Sequence, residues 1–399
     1  MGLTALVIAG TTDLFAGLFL SSMEEYLLLI PGMMILIYSA LGMRGMIFGA
    51  LGSRLGTAMH MGTFQMNFKK GGVLRANIES AFCLTLILSV IMGALTWVIA
   101  KYLFNGTYTF WDFVFISSLG GVLAGAVIIL FNIQIAKSGY KRDWDVDNIS
   151  APLIAAVGDI VTMPMIFMST ILLLKLKGSG FGDVAIVALA ALFLAATAVY
   201  TARIARKEVS KKDFSGEAKR IVFASIPILL FCLMFEIAAG MIIQKEEERL
   251  LEYAVFLVML PAFLNQGNAL SGMLTARLSS MIHLGTLDSK VAPPRNALEN
   301  FGIIYICAVL TFLYIGIIAY VATWLMPGVT LNLGPGPVLL TVMVAGMLVT
   351  TILNFLSYYV AQLAARFGLD PDDHSIPITS SVMDMLCSVV LVSVVILII

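Results

Sequence analysis

Long apolar runs follow one another along almost the whole chain, and they restrict its fold more than any other feature. Each run has about 20 residues, the length that a helix needs to cross a bilayer. Inside a bilayer every backbone polar group must be hydrogen-bonded within a helix or a closed barrel, and these runs lack the alternating pattern of barrel strands. The sequence therefore predicts an all-α integral membrane protein with about eleven transmembrane helices. The predicted spans are 3–22, 27–48, 78–100, 111–136, 150–174, 183–203, 221–243, 252–274, 298–326, 337–363 and 376–398.

The composition supports this class and argues against others. Hydrophobic residues make up 60% of the 399 residues and charged residues only 12%, whereas soluble proteins carry about 25% charged residues. The formal net charge is zero, so we expect no nucleic acid as a partner, only cations and the lipid bilayer. We find neither a nucleophile with its base nor a nucleotide-binding loop, so we do not expect an enzyme.

The distribution of Lys and Arg predicts the orientation. These residues concentrate in one set of alternating loops, most densely over 203–220. Cytoplasmic loops carry an excess of Lys and Arg. We therefore expect a multi-pass protein of the cell membrane with a cytoplasmic N-terminus and an extracellular C-terminus.

An internal repeat organises the spans. A shift of about 223 residues aligns the two halves, and the shift becomes 225 at the acidic segments that precede the fifth and last spans. We predict a first five-span repeat at 1–176, a connecting span with a basic cytoplasmic linker at 177–220, and a second five-span repeat at 221–399. The aligned residues include Asp13 with Glu236, Arg54 with Arg277, Asp147 with Asp372, and Asp159 with Asp384.

The connecting span sets the relative direction of the repeats. Five spans reverse the direction of the chain, and a sixth restores it. The two repeats should therefore run parallel, related by a pseudo-twofold axis along the membrane normal, which is a known arrangement in transporters. Because both repeats belong to one chain, we expect a monomer.

An aspartate deep in an apolar run occurs twice at matched spacing. Asp159 and Asp384 each lie seven residues after a proline, Pro152 and Pro377. A carboxylate near the centre of a spanning helix costs about 2.5–3.5 kcal/mol on insertion scales. The pseudo-twofold axis places both at one depth, where two acids repel unless a cation or proton lies between them. We interpret the pair as a cation site. The alternative is two acids that are protonated or hydrogen-bonded within the bundle.

The type of ligand favours a hard divalent cation. Carboxylate, hydroxyl and carbonyl oxygens suit Mg²⁺, Ca²⁺ and Mn²⁺. Mg²⁺ keeps several waters and uses one or two carboxylates, so two aspartates fit a largely hydrated Mg²⁺. We expect Mg²⁺ as the transported ion, with Mn²⁺ and Ca²⁺ as alternatives.

Further acids extend this candidate site. Asp13 and Glu236 are also mid-span, and they favour an extension of the ion path, a proton or Na⁺ site, or an interhelical hydrogen bond to a Thr or Tyr. Asp147 and Asp372 precede the helix prolines, where they serve either as caps at the positive end of the helix dipole or as a vestibule that attracts cations.

Two features of the second spans are unusual. Asn268 ends the polar segment 265–268, for which we expect irregular backbone that lines a cavity. At the aligned place in the first half stands Arg44, which we expect to pair with an acid and to break the symmetry of the path.

These motifs resemble a known family. The chain is similar to the transmembrane domain of the MgtE family of Mg²⁺ channels and transporters, present twice, in a fused layout similar to that of the family's solute-carrier relatives. The resemblance implies that Asp159 and Asp384 form the Mg²⁺ site of the pore. It is carried by Asp370-Pro371…Pro377…Asp384, Asp145…Pro152…Asp159, Gly267-Asn268 with Arg277, Arg75…Glu79 and Arg295…Glu299.

Three functions remain open from the sequence. The first is transport of a divalent cation, Mg²⁺, along a path between the repeats. The second is an exchanger or exporter that couples Mg²⁺ to Na⁺ or H⁺ through Asp13 and Glu236. The third is a membrane sensor or scaffold that transports nothing, in which the acids are structural.

Overall fold

The structure is a computed structural model that describes residues 2–66, 68–69, 71–142, 146–207, 216–283, 285–287, 292–326, 331–367 and 376–399. Over these residues the regular secondary structure is entirely helical. The helices are α1 (Gly2–Ser21), α2 (Glu24–Leu29), α3 (Met33–His60), α4 (Val73–Leu103), α5 (Phe110–Arg142), α6 (Val146–Lys177), α7 (Gly182–Ala205), α8 (Glu217–Lys245), α9 (Glu247–Glu252), α10 (Ala254–His283), α11 (Arg295–Leu325), α12 (Pro335–Phe367) and α13 (Ile376–Ile398).

The lengths of these helices match those of membrane spans. Ten helices in the described part of the chain are long and apolar enough to cross a bilayer, and α1 adds a shorter apolar segment, Leu6–Ser21. The prediction of an all-α integral membrane protein with about eleven such helices is confirmed. These segments are helical because an apolar segment in lipid must form its backbone hydrogen bonds within itself.

A break separates the short helix α2 from α3. Gly32 has a φ of 96°, in the left-handed region that favours glycine. A Cβ built on Gly32 would also lie 2.6 Å from the Cβ of Ala100. The predicted span 27–48 is therefore divided, and α3 runs without interruption from Met33 to His60.

The described chain packs as two compact units. Unit 1 contains Met1–Glu24 and Met234–Ile399, and unit 2 contains Glu25–Leu233. In unit 2, α6 packs against α3 and α5, and α5 packs against α4. In unit 1, α10 packs against α1, α11, α12 and α13.

Helix α1 thus packs with helices of the second half of the chain. Its contact with α10 is close because a Cβ on Gly17 would lie 1.7 Å from the backbone oxygen of Val258. The repeat boundaries at 176 and 221 are a prediction from the sequence, whereas the packing units describe which helices touch. The two divisions differ in the placement of the first helix and of residues 221–233.

The connecting helix α7 packs against α4, α5 and α6 in unit 2. The rings of Tyr200 and Phe82 meet edge to face, with centroids 5.5 Å apart. At the end of α7, the ammonium of Lys207 pairs with the carboxylate of Glu79, which also accepts a hydrogen bond of 2.9 Å from Arg75. An aromatic contact and an ion pair therefore hold the connecting helix α7 against α4.

Candidate cation site

Asp384 lies in the third turn of α13, the last helix. Pro377 is the second residue of that helix, where a missing N–H leaves no hydrogen bond unmade. Asp384 is 8% exposed, and its Oδ1 accepts a hydrogen bond of 2.7 Å from Nδ2 of Asn268 on α10. The amide of Asn268 thus holds the buried carboxylate of Asp384, although the two residues are more than a hundred positions apart in the sequence.

Gly267 allows this contact. A Cβ on Gly267 would lie 2.4 Å from Sγ of Cys387, which is closer than side-chain carbon atoms approach in proteins. The missing side chain therefore lets α10 lie directly against α13. Asn268, the next residue, then reaches Asp384, which is one turn before Cys387.

Glu236 of α8 is the second acid of this cluster. It is 2% exposed, and its side chain is hydrogen-bonded to Asp384. The amide oxygen of Asn268 is buried and has no hydrogen-bond partner in the described part of the structure. Two carboxyl groups and one amide oxygen therefore converge in unit 1. These are the hard ligands that Mg²⁺ and related ions prefer.

Asp13 occupies a second polar position in unit 1. It is 1% exposed, and its Oδ2 accepts a hydrogen bond of 2.7 Å from Nδ2 of Asn265. Nearby on α1, the hydroxyl of Thr11 lies 2.7 Å from the hydroxyl of Tyr314 on α11. The structure therefore shows an interhelical hydrogen bond for Asp13, but this bond is to an asparagine and not to the Thr or Tyr that was expected.

The polar segment 265–268 is helical, contrary to the expectation of irregular backbone. It lies inside α10, which continues from Ala254 to His283 past Pro261. Helical backbone satisfies its own N–H and C=O groups, and the two asparagine side chains supply the polar contacts. Asn265 was missed as a residue that binds an acid. Its spacing of three from Asn268 puts both on one helix face, and this signal was present in the sequence.

Asp159 lies in unit 2, on α6. It is partly exposed, and its carboxylate acts electrostatically on Tyr38 of α3. The hydroxyls of Tyr38 and of Thr162, one turn after Asp159, are buried without a hydrogen-bond partner among the described residues. Sequence reasoning missed Tyr38, because tyrosine in an apolar run usually packs. The pairing of Asp159 with Asp384 stays a prediction.

The remaining predicted ligands contribute little to the described geometry. Asp147 is the second residue of α6, but its side chain lies outside the described part. Asp372 lies outside the described residues altogether. The alternatives of cap and vestibule therefore stay open for both.

Arg44 forms no ion pair with an acid among the described residues. Its guanidinium is 3% exposed, and Nη1 donates to the backbone oxygen of Ala40 at 3.1 Å. Among the ion pairs of the described residues, none includes Arg44. The expectation of a carboxylate partner was wrong, since the side chain lies against α4 and α5, where Ser89 and Gly121 meet it.

The donor set fits a hydrated hard cation. The described residues contain no group of three or more His, Cys, Asp or Glu side chains that could enclose a metal ion. Asp384, Glu236 and Asn268 offer oxygen ligands from only three side chains, so water must complete any coordination shell. Mg²⁺ is the ion that most often retains water in this way.

Comparison with known proteins identifies the family. The model of MgtE, described as a divalent cation transporter, matches residues 37–169 and 260–394. These two segments cover most of α3–α6 and of α10–α13, and together they make up more than half of the chain. The chain belongs to the MgtE family. Divalent cation transport is therefore the general activity that membership supports.

Two relatives resemble the chain over nearly its whole length. Solute carrier family 41 member 3 of Rattus norvegicus is 20% identical over 96% of this chain and 83% of its own length. The protein of the same name from Mus musculus is 22% identical over 95% of this chain and 78% of its own length. No solved structure matches. The twofold MgtE match agrees with the internal repeat that the sequence predicts.

Proposed function

We propose that the chain moves Mg²⁺, or a similar divalent cation such as Mn²⁺ or Ca²⁺, across the cell membrane. The observation that carries this proposal is the cluster of Asp384, Glu236 and Asn268 inside membrane-spanning helices. Buried acids in spanning helices mark ion paths more often than they stabilise a fold. Membership of a divalent cation transporter family supports the same function.

The proposed ligands have distinct roles. Asp384 and Glu236 supply negative charge, and the amide of Asn268 orients Asp384 while its oxygen stays available to the ion. Asp159, the repeat counterpart of Asp384, is the second aspartate of the path. Asp147 and Asp372 would attract cations at the helix entrances by their charge.

The direct test is divalent flux into liposomes that contain the purified full chain. We expect Asp384→Asn and Asn268→Leu to lower the apparent affinity for Mg²⁺ by about tenfold or more, because a hydrogen bond to a charged group contributes about 1.5–3 kcal/mol. Asp183→Asn is the matched control, since Asp183 is an exposed acid at the start of α7.

The outcomes separate the candidate functions. Undiminished flux in both Asp384→Asn and Asp159→Asn would contradict the site. A protein that shows neither flux nor a thermal shift with divalent ions would instead act as a membrane sensor or scaffold.

A coupled exchanger is the second candidate, and two contacts favour it. The hydrogen bond between Glu236 and Asp384 joins two carboxyl groups, which requires a proton on one of them or a cation between them. Asp13 with Asn265 forms a further acidic position in the same unit. Divalent flux driven by an imposed Na⁺ or pH gradient would support the exchanger, and flux indifferent to both gradients would support a channel.

The proposal also includes the arrangement in the membrane. The chain would be a monomer in the cell membrane, with repeats at 1–176 and 221–399, a connector at 177–220, a cytoplasmic N-terminus and an extracellular C-terminus. Labelling of single cysteines with a reagent that does not cross the membrane would test the orientation.

A further inference from the structure

Two buried hydroxyl groups of unit 2 have no hydrogen-bond partner among the described residues, and both belong to neighbours of Asp159. They are those of Tyr38 on α3, which is 3% exposed, and of Thr162 on α6, which is fully buried. Burying a polar group without a hydrogen bond is costly. A pair of such groups beside one carboxylate therefore points to a water, an ion or a ligand that completes their hydrogen bonds.

Thr162 differs from two other hydroxyl residues of its helix. Ser169 and Thr170, also on α6, donate to the backbone oxygens four residues earlier, at 2.7 and 2.9 Å. This local bond is a common way for a helix to satisfy a hydroxyl. Thr162 does not form it, and it lies one turn after Asp159 on the same helix face. Its hydroxyl therefore stays available next to the carboxylate.

Tyr38 presents a second hydroxyl to the same carboxylate from another helix. Helices α3 and α6 pack against each other, and the carboxylate of Asp159 acts electrostatically on the Tyr38 side chain. Gly158, the residue before Asp159, is buried, yet a Cβ there would have nothing within 4 Å in the described structure. Asp159 thus has beside it both unpaired hydroxyls and unfilled space, which are the polar partners and the room that a bound water needs.

The second half of the chain does without these hydroxyls. By the shifts of 223 and 225 that align the two halves, Pro261 stands in place of Tyr38 and Cys387 in place of Thr162. Neither of these residues has a hydroxyl. Because the aligned helices form without them, packing alone does not require a hydroxyl at either position. A role at Asp159 explains the two groups better than a role in the fold.

The chemistry of the three groups matches the outer surface of a hydrated cation. Hydroxyl and carboxylate oxygens accept hydrogen bonds, and the waters around a cation direct their hydrogens outward. Mg²⁺ gives up its waters reluctantly, whereas Ca²⁺ takes more protein oxygens in a flexible geometry. We propose that Tyr38 and Thr162 bind waters of the hydration shell of Mg²⁺ at Asp159 and thereby favour Mg²⁺ over Ca²⁺. The inference rests on the proposed function and names two residues that set its ion preference.

The test is divalent flux into liposomes that contain the full chain, with Mg²⁺ and Ca²⁺ compared in each variant. Tyr38→Phe and Thr162→Val remove one hydroxyl each. We expect the apparent affinity for Mg²⁺ to fall about threefold in each and about tenfold in the double variant, because each loses one hydrogen bond. The apparent affinity for Ca²⁺ should change by no more than about twofold.

Thr170→Val is the matched control on the same helix. The hydroxyl of Thr170 is equally buried but is already bonded to backbone, so its loss should leave the affinities for both ions unchanged. A second probe is the hexaammine complex of Co³⁺, which keeps its ammine ligands and so binds only through their N–H groups. It should inhibit Mg²⁺ flux about tenfold more strongly in the wild type than in the double variant.

The outcomes distinguish this inference from the function it rests on. Equal losses for Mg²⁺ and Ca²⁺, an unchanged Mg²⁺ affinity, or a wild type without preference for Mg²⁺ would overturn the role of the hydroxyls and leave divalent transport intact. A wild type that moves neither ion would contradict the proposed function itself. If the double variant does not fold, Thr162→Ser and Thr162→Val decide. The first keeps a hydroxyl and should keep the preference for Mg²⁺, and equal behaviour of the two would overturn the inference.

Discussion

At the scale of single residues, the partner side chain decides what a buried acid does in this chain. Asp384 and Glu236 are buried together with an amide, whereas Asp112 is buried in an ion pair of 2.7 Å with Lys177. The first arrangement leaves negative charge for an ion, and the second neutralises it. Residue type alone does not separate these two cases, because the partner side chain makes the difference.

Glu247 provides a prediction at this scale. It lies between the spans, in the short helix α9, and burial raises its pKa from 4.5 to about 8. The hydrogen bond from Gln244 opposes this rise, and the charge of Glu248 adds to it. The folded chain therefore keeps a proton on Glu247 at neutral pH, where the unfolded chain has lost it.

The sign of the pH dependence follows from this difference. Between about pH 4.5 and pH 8 the folded state binds more protons at Glu247, so its contribution to stability falls as the pH rises, by roughly 1 kcal/mol per pH unit. We expect Glu247→Gln to raise the melting temperature at pH 8 and to change it little at pH 4.5. Thermal unfolding in detergent at both values measures this. An equal effect at both values would contradict it, and Glu252→Gln, on an exposed acid at the end of the same helix, serves as the control.

At the scale of helices, single glycines set how closely two elements approach. Gly267 brings α10 against α13, and Gly17 brings α1 against α10. Both positions lie in helix interiors, where glycine is unfavourable by about 1 kcal/mol relative to alanine. The close approach compensates for that cost, since small residues let helix backbones pack tightly within membranes.

The contact of α10 with α13 can be tested by a pair of substitutions. In Gly267→Ala the new Cβ would meet Sγ of Cys387, which should push the helices apart and weaken the contact between Asn268 and Asp384. We expect the Mg²⁺ affinity to fall by about tenfold, in keeping with a loss of about 1.4 kcal/mol. Adding Cys387→Ala removes the sulfur and should restore most of the affinity.

The control for this pair is Gly272→Ala on the same helix, where a Cβ would have nothing within 4 Å. It should leave Mg²⁺ affinity unchanged in the liposome flux measurement. Failure of Cys387→Ala to rescue Gly267→Ala would show that the glycine serves another purpose.

At the scale of the whole molecule, packing does not follow the order of the repeats. Helix α1 begins the predicted first repeat, yet it packs with α10 and α11 of the predicted second repeat. A chain whose first helix packs on the other half has a longer mean separation between contacting residues, and such topologies fold more slowly. The first helix thereby makes the stability of unit 1 depend on both ends of the sequence.

Gly17 is the place to test this arrangement. Gly17→Ala would put a Cβ 1.7 Å from the backbone oxygen of Val258, and backbone cannot move aside as a flexible side chain does. We expect a melting temperature lower by several degrees or more, measured by thermal unfolding of the purified protein. Gly49→Ala on α3 is the matched control, since a Cβ there has nothing within 4 Å. A similar melting temperature in both variants would contradict the close packing of α1 on α10.

The sequence by itself determined which segments are helices, that the chain is duplicated, and which acids lie in the spanning segments. Apolar runs of sufficient length must form helices in a bilayer because lipid offers no hydrogen bonds, so the fold class follows from local pattern alone. Asp384, Glu236 and Asn268 were recognisable one by one, since polar groups in such runs are costly. The alignment of Arg44 with Gly267 was also visible at this level.

Only the tertiary structure decided which of these groups meet. The contact between Asn268 and Asp384, the hydrogen bond from Asn265 to Asp13 and the packing of α1 on α10 all join distant parts of the chain. Arg44 was expected to find an acid, and it lies instead against Ser89 and Gly121. The physical reason is that the lipid-exposed and buried faces of these helices are similarly apolar. The hydrophobic pattern therefore does not select helix partners in a membrane. Helices are selected as partners by close packing at small residues and by polar contacts.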